Sequence, residues 1–517
     1  MKQTDFIRQI NREDRKYKII KMKYYLQMKL SFGKKREQRE FAYSIFTRDS
    51  FFDHDNNALA EPYYYKPTDI IIYDLVQKKD LQKTQKGLKK LFEKCYSHKF
   101  LWGGRSEKDI EDIIKGLDQT LHSGNSWYKT GLFDFAYNEE LESYIDYFEL
   151  CFHNFSSSYV AIEMRIALAD KYTDEISRFI KDPYKKPGMS VHRHWGRRHG
   201  KSGAKISYGV SSGTLSEYAK SQLIYEQLRY VKELFLREIV RYFPLIQYSK
   251  YKDIYGINVF ETNITPNDRL DQSVYSGLGI NDLHGFNLSI AERLYISTEI
   301  IDRNKYESDM MFVYNPKYIS EYEMYGTVHN KVLEQLTMDY MDELYRVVIL
   351  KDLGIRYQYL IGDYRNIINR CKTSRRQYKE LLKIKYQLNQ KFYDFKKIDE
   401  ELPVNKELEK ASKKLENNKY ANSSIYRGFH TYSSFTGNPK YIWEQIRNNY
   451  SEVERDLNRK IEIADSLAKY SSETINRRMI YIQVLISAMT FILVIFPEKA
   501  RSLANLIKWI LGLLPVN

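Results

Sequence analysis

Along most of the chain, apolar residues recur at helical or strand spacing among charged ones. The last forty residues break that pattern. From Met479 to Phe496 the sequence MIYIQVLISAMTFILVIF carries no charge, Pro497-Glu498-Lys499-Ala500-Arg501-Ser502 interrupts it, and a second apolar stretch runs from Leu503 to Val516. Eighteen helical residues rise ~27 Å, enough with interfacial flanks for a ~30 Å hydrocarbon core. The pattern predicts a transmembrane hairpin of residues 479–496 and 503–516, the second helix shorter and carrying Lys508. Arg477 and Arg478 place the N-terminal end of the first span in the cytoplasm.

Upstream, Gly437-Asn438-Pro439 is the last loop signal, and Lys440 to Phe496 contains neither glycine nor proline. One helix of ~85 Å is expected there. Its apolar seam is Trp443, Ile446, Tyr450, Val453, Leu457, Ile461, Ala464 and Ala468, at the three–four alternation of a coiled coil. His329 to Leu402 also reads as helical, Pro403 breaks the chain, Lys406 to Asn418 is a short charged helix, and Asn422 to Asn438 reads as loop. Within the first apolar run the polar residues Gln483, Ser487 and Thr490 share one helical face, which extends back to Asn476. Such a stripe is either helix–helix contact or the lining of a pore.

Residues 1–325 read as mixed α and β. Asp69 to Leu75 predicts a strand, and Ser106 to Leu121 a helix. Tyr147 to Phe155 and Ser158 to Leu168 predict a hairpin around Ser156-Ser157, and Leu215 to Tyr242 a long helix. Ile257 to Ile264, Phe286 to Ile296 and Met310 to Tyr314 are further strands. The fold class expected is an α+β cytoplasmic domain, long stalk helices and a C-terminal two-helix transmembrane hairpin. The divisions are a sensor domain at 1–325, a helical return segment at 326–438, a stalk helix at 439–478, and the two spans.

Composition refines this outline. The 517 residues carry a net charge of +15, which suits either a nucleotide or nucleic-acid partner or an anionic lipid surface. With an anchor present, the lipid bilayer is the favoured partner and direct nucleic-acid binding is not expected. Cys95, Cys151 and Cys371 are widely spaced and suggest neither a disulfide framework nor a zinc site. The N-terminus, MKQTDFIRQINREDRKYK, has no apolar signal core.

The densest chemistry lies in Val191-His-Arg-His-Trp-Gly-Arg-Arg-His-Gly-Lys-Ser-Gly203. A phosphate-binding loop needs four residues between its glycines, and three separate Gly196 from Gly200. His192, His194 and His199 lack nearby Cys or ordered acidic partners, so no metal site is assigned. What remains is a cationic segment, Arg193, Arg197, Arg198 and Lys201, which is either a phosphate grip or a solvated loop. Asp53-His54-Asp55 has no matched partner. The chain carries no nucleophile elbow, HExxH or dinucleotide fingerprint, so no catalytic residue is assigned and no enzyme is expected.

The sequence of return helices, a long stalk, a first span and a terminal second span resembles the CorA family of divalent-cation channels over residues 330–517. Ser472-Glu-Thr-Ile-Asn-Arg-Arg-Met479 is similar to that family's stalk-to-pore junction, where Asn476 would face the axis. The family's Gly-Met-Asn is absent, and Val494-Ile-Phe-Pro-Glu-Lys499 stands in its place, with Glu498 at the mouth. The added cytoplasmic length resembles divergent members encoded beside type III CRISPR systems. That resemblance implies a homopentameric inner-membrane effector of bacterial antiviral defence. It would be gated by a nucleotide second messenger such as adenylated S-adenosylmethionine, its pore lined by Asn476, Gln483, Ser487 and Thr490. A divalent-cation (magnesium) transporter and a membrane-tethered toxin are the alternatives.

Overall fold

The computed structural model describes residues 58–95, 127–184, 189–195, 206–212, 216–251, 254–264, 288–291, 294–297, 310–316, 344–417 and 431–495, with a few isolated positions besides. Its strands are β1 (Tyr65–Gln77), β2 (Trp127–Phe133), β3 (Ile145–Asn154), β4 (Tyr159–Leu168), β5 (Met189–Trp195), β6 (Ile206–Ser212), β7 (Gly256–Thr262), β8 (Leu288–Ala291), β9 (Leu294–Ser297) and β10 (Met310–Tyr314). The helices are α1 (Leu81–Cys95), α2 (Glu139–Glu142), α3 (Asp170–Lys181), α4 (Ser216–Ile239), α5 (Ile246–Tyr251), α6 (Leu344–Arg370), α7 (Tyr378–Lys391), α8 (Tyr393–Glu401), α9 (Val404–Asn417) and α10 (Thr431–Ile495).

Eight strands form one mixed sheet in the order β2-β3-β4-β1-β7-β10-β9-β8, and β5-β6 is a separate ribbon. All neighbours in the large sheet run antiparallel except β7 and β10. The expected hairpin forms, with β3 and β4 joined around Ser156–Ser158. The stretch read as one strand at 286–296 is itself a hairpin, β8 and β9. Most of the expected 106–121 helix and residues 329–343 lie outside the described residues.

Side chains alternate across a strand. One face of the sheet carries Ile70, Ile72, Phe148, Leu150, Phe152, Ile162, Met164 and Ile166. These join Leu88 and Leu91 of α1, Ile176 and Ile180 of α3, and Val231, Phe235 and Ile239 of α4 in a continuous apolar core. Helix α1 approaches the chain at Tyr242 so closely that a Cβ on Gly87 would lie 1.8 Å from the Tyr242 carbonyl oxygen. In β2, Gly131 adopts φ 139° where the β2–β3 register slips, a bulge conformation that suits glycine.

The chain divides into two compact units, Met1–Ile355 with Lys397–Trp443, and Arg356–Lys396 with Glu444–Asn517. In the first, Trp443 of α10 donates its indole N–H to the Leu350 carbonyl at 2.9 Å. In the second, Tyr450 of α10 sits 4.9 Å from the Phe392 ring and donates to Asn389 Oδ1 at 3.1 Å. There Lys460 donates to the carbonyls of Ile368 and Cys371 at 2.6 and 2.8 Å, so α10 is tied to the end of α6. The seam residues Trp443, Ile446, Val453, Leu457 and Ala464 are buried.

Two expectations change. Helix α10 starts at Thr431 and runs through Gly437-Asn438-Pro439, which is not a loop. Among the described residues no helix is long and apolar enough to cross a membrane. In the described part of α10 the charge-free run is Met479–Ile495, one residue short of the eighteen expected, and Arg477 and Arg478 stand directly before it. The other stretch, 503–516, lies outside the described residues. This overturns the transmembrane hairpin and, with it, the expected inner-membrane location and the reading of the chain as a membrane protein and ion channel.

Candidate functional site

The other face of β2, β3 and β4 is charged and nevertheless buried. Register sets the pairs: Glu149 stands across from Arg165, Cys151 and Tyr73 flank Glu163, and Lys129 faces Cys151. Opposite charges directly across a ladder attract. Lys129 Nζ lies 2.7 Å from Glu149 Oε1, and Arg165 Nη1 is 3.3 Å from Glu149 Oε2. Arg165 Nε bonds Glu163 Oε1, and His153 Nε2 lies 2.7 Å from Glu163 Oε2. Two cations and two carboxylates cancel, so the buried row is neutral. Only the Lys129 side chain reaches solvent, at 35% exposure against 0% for Glu163.

Burial alone would raise the Glu163 carboxyl. The charge of Arg165 and the hydrogen bond from His153 outweigh that and hold it well below the usual carboxylate range. An ionised Glu163 accepts only, so Nε2 of His153 carries the proton it shares. Nδ1 has no hydrogen-bond partner among the described residues. Burial, then the Glu163 charge, pushes the neighbouring Tyr73 phenol up.

Helices meet this row at His153 and grip the β3–β4 hairpin at its tip. The ring of Tyr345, in the first turn of α6, stacks on His153 with centroids 4.4 Å apart and planes at 21°. Its hydroxyl donates to the Asn154 carbonyl at 3.3 Å and accepts from Arg346 Nε at 3.0 Å. Arg346 in turn pairs with Glu407 of α9. At the end of α8, Glu401 accepts from Ser156 Oγ at 2.7 Å and from the Ser158 N–H at 2.9 Å, and Ser158 Oγ donates to it as well. Burial opposes its charge, but the serine hydrogen bonds prevail and lower its pKa. Lys78 donates to Asn154 Oδ1 at 2.9 Å. The turn between β3 and β4 is thus latched by α6, α8 and α9 together.

No protein-family model, curated protein or solved structure matches this chain. The site therefore rests on its own geometry. His153 and Glu163 could serve acid–base chemistry by type, but a substrate would have to displace Tyr345 to meet them. Two other buried ionisable groups stand apart. Asp74 accepts N–H bonds from Leu75, Gln247 and Tyr248 at 2.6 to 3.0 Å, capping α5, and burial pushes it up to about 7. Lys220 donates to the carbonyls of Ile180 and Asp182, and burial lowers it to about 7.

Of the residues singled out from sequence, Arg193 lies in β5 opposite Tyr208. Arg197, Arg198, Lys201, His199, Asp53-His54-Asp55 and Glu498 lie outside the described residues. Asn476, Gln483, Ser487 and Thr490 all lie on exposed turns of α10. Thr490 Oγ1 donates to the Ile486 carbonyl at 2.8 Å, the usual back-bond of a helical threonine. Among the described residues no three His, Cys, Asp or Glu are grouped to hold a metal ion.

Sequence reading missed the charged row and the latch. A usable signal existed for the row. Around the expected turn, Glu149 and Arg165 are equidistant from Ser157, as are Cys151 and Glu163. Counting register outward from the turn brings those charges face to face. The latch had no such signal, because α6, α8 and α9 come about two hundred residues later.

Proposed function

We propose that this protein is a ligand-responsive effector that acts by binding rather than by turnover. The α+β part is the sensor and the long helices carry the response. The observation that supports this most is the latch. The first turn of α6 holds the β3–β4 hairpin through Tyr345 and Arg346, and α6 continues unbroken to Arg370. A ligand that displaces the hairpin must therefore move α6 or break its stacking on His153. The net charge of +15 favours an anionic ligand, and a nucleotide second messenger containing adenine is the class we assign.

The test is a thermal-shift and calorimetric screen of the full-length protein. The panel is ATP, AMP, cyclic oligoadenylates and adenylated S-adenosylmethionine. A ligand at one hundred times its Kd stabilises the folded state by about 2.7 kcal/mol. That shifts Tm by roughly 5 °C. The same ligand should alter the environment of Tyr345, read as a change in hydrogen exchange at residues 344–350. If no nucleotide in the panel shifts Tm, the assignment of ligand class fails. If one binds without altering exchange at 344–350, the latch is not the transmitter.

A further inference from the structure

The lipid reading of the +15 net charge leaned on a membrane anchor, and among the described residues no helix is long and apolar enough to cross a membrane. The charge is also unevenly spread. From Arg370 to Lys391 the chain carries eight cations and one acid, Glu380. The part of α10 in the same compact unit, from Glu444 to Tyr470, carries five cations and six acids. A helix face that meets only water mixes both signs, as α10 does. Among the described residues, Lys372, Arg376, Lys379 and Lys383 form no ion pair, while Arg365, Lys396 and Lys469 of the same unit do.

Helix α7 sets these charges in a row. Its buried residues Leu381, Ile384 and Leu388 form one face. Lys379, Lys383, Tyr386 and Gln390 recur at i, i+4, i+7 and i+11 on the opposite face, a line about 16 Å long, and all four are exposed. Lys372 and Arg376, also exposed, precede that line in the chain. Like charges at i and i+4 weaken a helix, so Lys379 and Lys383 oppose the helix that carries them. An anionic partner removes that repulsion. Tyr386, one turn beyond Lys383, is 69% exposed.

Cations in a row with an aromatic ring beside them match a polyanion that also offers flat apolar faces. Single-stranded nucleic acid has both: its phosphates meet the cations and an unpaired base stacks on the ring. In a duplex the base faces are already stacked on their neighbours. A lipid surface takes up a helix by its apolar stripe, and in α7 that stripe, Leu381, Ile384 and Leu388, is buried.

We infer that the outer face of α7 binds single-stranded nucleic acid, with Lys372, Arg376, Lys379 and Lys383 on phosphates and Tyr386 against a base. The site lies in the second compact unit and does not depend on the latch at the β3–β4 hairpin. The test is fluorescence anisotropy of the full-length protein with labelled oligouridine RNA, oligothymidine DNA and a duplex DNA, beside flotation with phosphatidylserine vesicles. A single strand should bind more tightly than the duplex, and either sugar supports the inference. The logarithm of its affinity should fall against the logarithm of salt concentration with a slope of about −3, four phosphates at ~0.7 each. Lys379→Gln with Lys383→Gln should reduce that slope by about 1.4. Tyr386→Ala should weaken binding about 5- to 150-fold and leave the slope unchanged. The control Lys89→Gln with Lys90→Gln, two exposed positions of α1, should leave binding as it was. All these positions are exposed, so circular dichroism should show the fold intact. Failure of both single strands to bind would overturn the inference. So would an equal loss in the α1 control, which would assign binding to the charge of the whole protein. Duplex bound as tightly as single strand, or vesicles bound in place of either strand, would overturn it too.

Discussion

Replacing Glu163 with leucine should cost far more than replacing Glu163 and Arg165 together. In Glu163→Leu, Arg165 loses its nearer carboxylate and keeps Glu149 at 3.3 Å, and the His153 Nε2–H loses its acceptor. Both groups stay buried. Removing one partner of a buried ion pair costs about 3–5 kcal/mol, because the other charge is left without compensation. In Arg165→Met the deficit changes sign: Glu149 and Glu163 stay buried on the same face, with Lys129 the cation that remains beside Glu149, and a similar loss is expected. The double variant, Glu163→Leu with Arg165→Met, removes a cation and an anion together and restores neutrality. It leaves the His153 donor unmade, a residual of about 1–3 kcal/mol. The two singles should therefore be non-additive, with at least ~2 kcal/mol of coupling. Urea unfolding followed by circular dichroism measures each value, and each single should lower Tm by about 6–10 °C. Singles that cost under ~1 kcal/mol, or whose sum equals the double, would show that the row is not an interdependent network.

Asp74 gives a pH signature. Burial pushes its carboxyl up to about 7 when folded, against an ordinary value of 3.8. The raised folded pKa means that its contribution is complete below pH 3.8 and is lost as pH rises to about 7. The full swing is about 4 kcal/mol. Stability of the wild type relative to Asp74→Asn should fall over that window, and parallel urea midpoints from pH 4.5 to 7.5 would remove this assignment. Gly87→Ala should destabilise by about 1–3 kcal/mol despite the better helix propensity of alanine, because the new methyl meets the Tyr242 carbonyl; an unchanged Tm would show that α1 can withdraw. Glu401→Gln should lose about 1–2 kcal/mol and raise hydrogen exchange at Ser156–Ser158, whose donors it accepts; unchanged exchange would mean the turn holds itself.

Much of the fold was legible because local periodicity survived tertiary packing. The strand expected at Met310 to Tyr314 has those bounds, and the hairpin turn at Ser156-Ser157 and the helix from 216 follow their apolar spacing. Other features were set non-locally. Register sets Glu149, His153, Glu163 and Arg165 on one face of β3 and β4, and all four are buried, with Tyr345 of α6, almost two hundred residues later in the chain, stacked on His153. Gly437-Asn438-Pro439 reads as a breaker from local preference, and the 65-residue helix α10 absorbs it.

The position of β1 in the sheet has a consequence for synthesis. Of the described strands this one emerges first, yet both its neighbours come later, β4 ending at Leu168 and β7 at Thr262. The 185 residues between the end of β1 at Gln77 and the end of β7 at Thr262 take roughly 10–40 s to translate at 5–20 residues per second. Until then Ile70, Ile71 and Ile72 have no ladder partner on that side. Pairings so distant in sequence also close slowly. The nascent chain must therefore carry an open, apolar strand edge for many seconds, which makes it a natural client for chaperones at the ribosome exit.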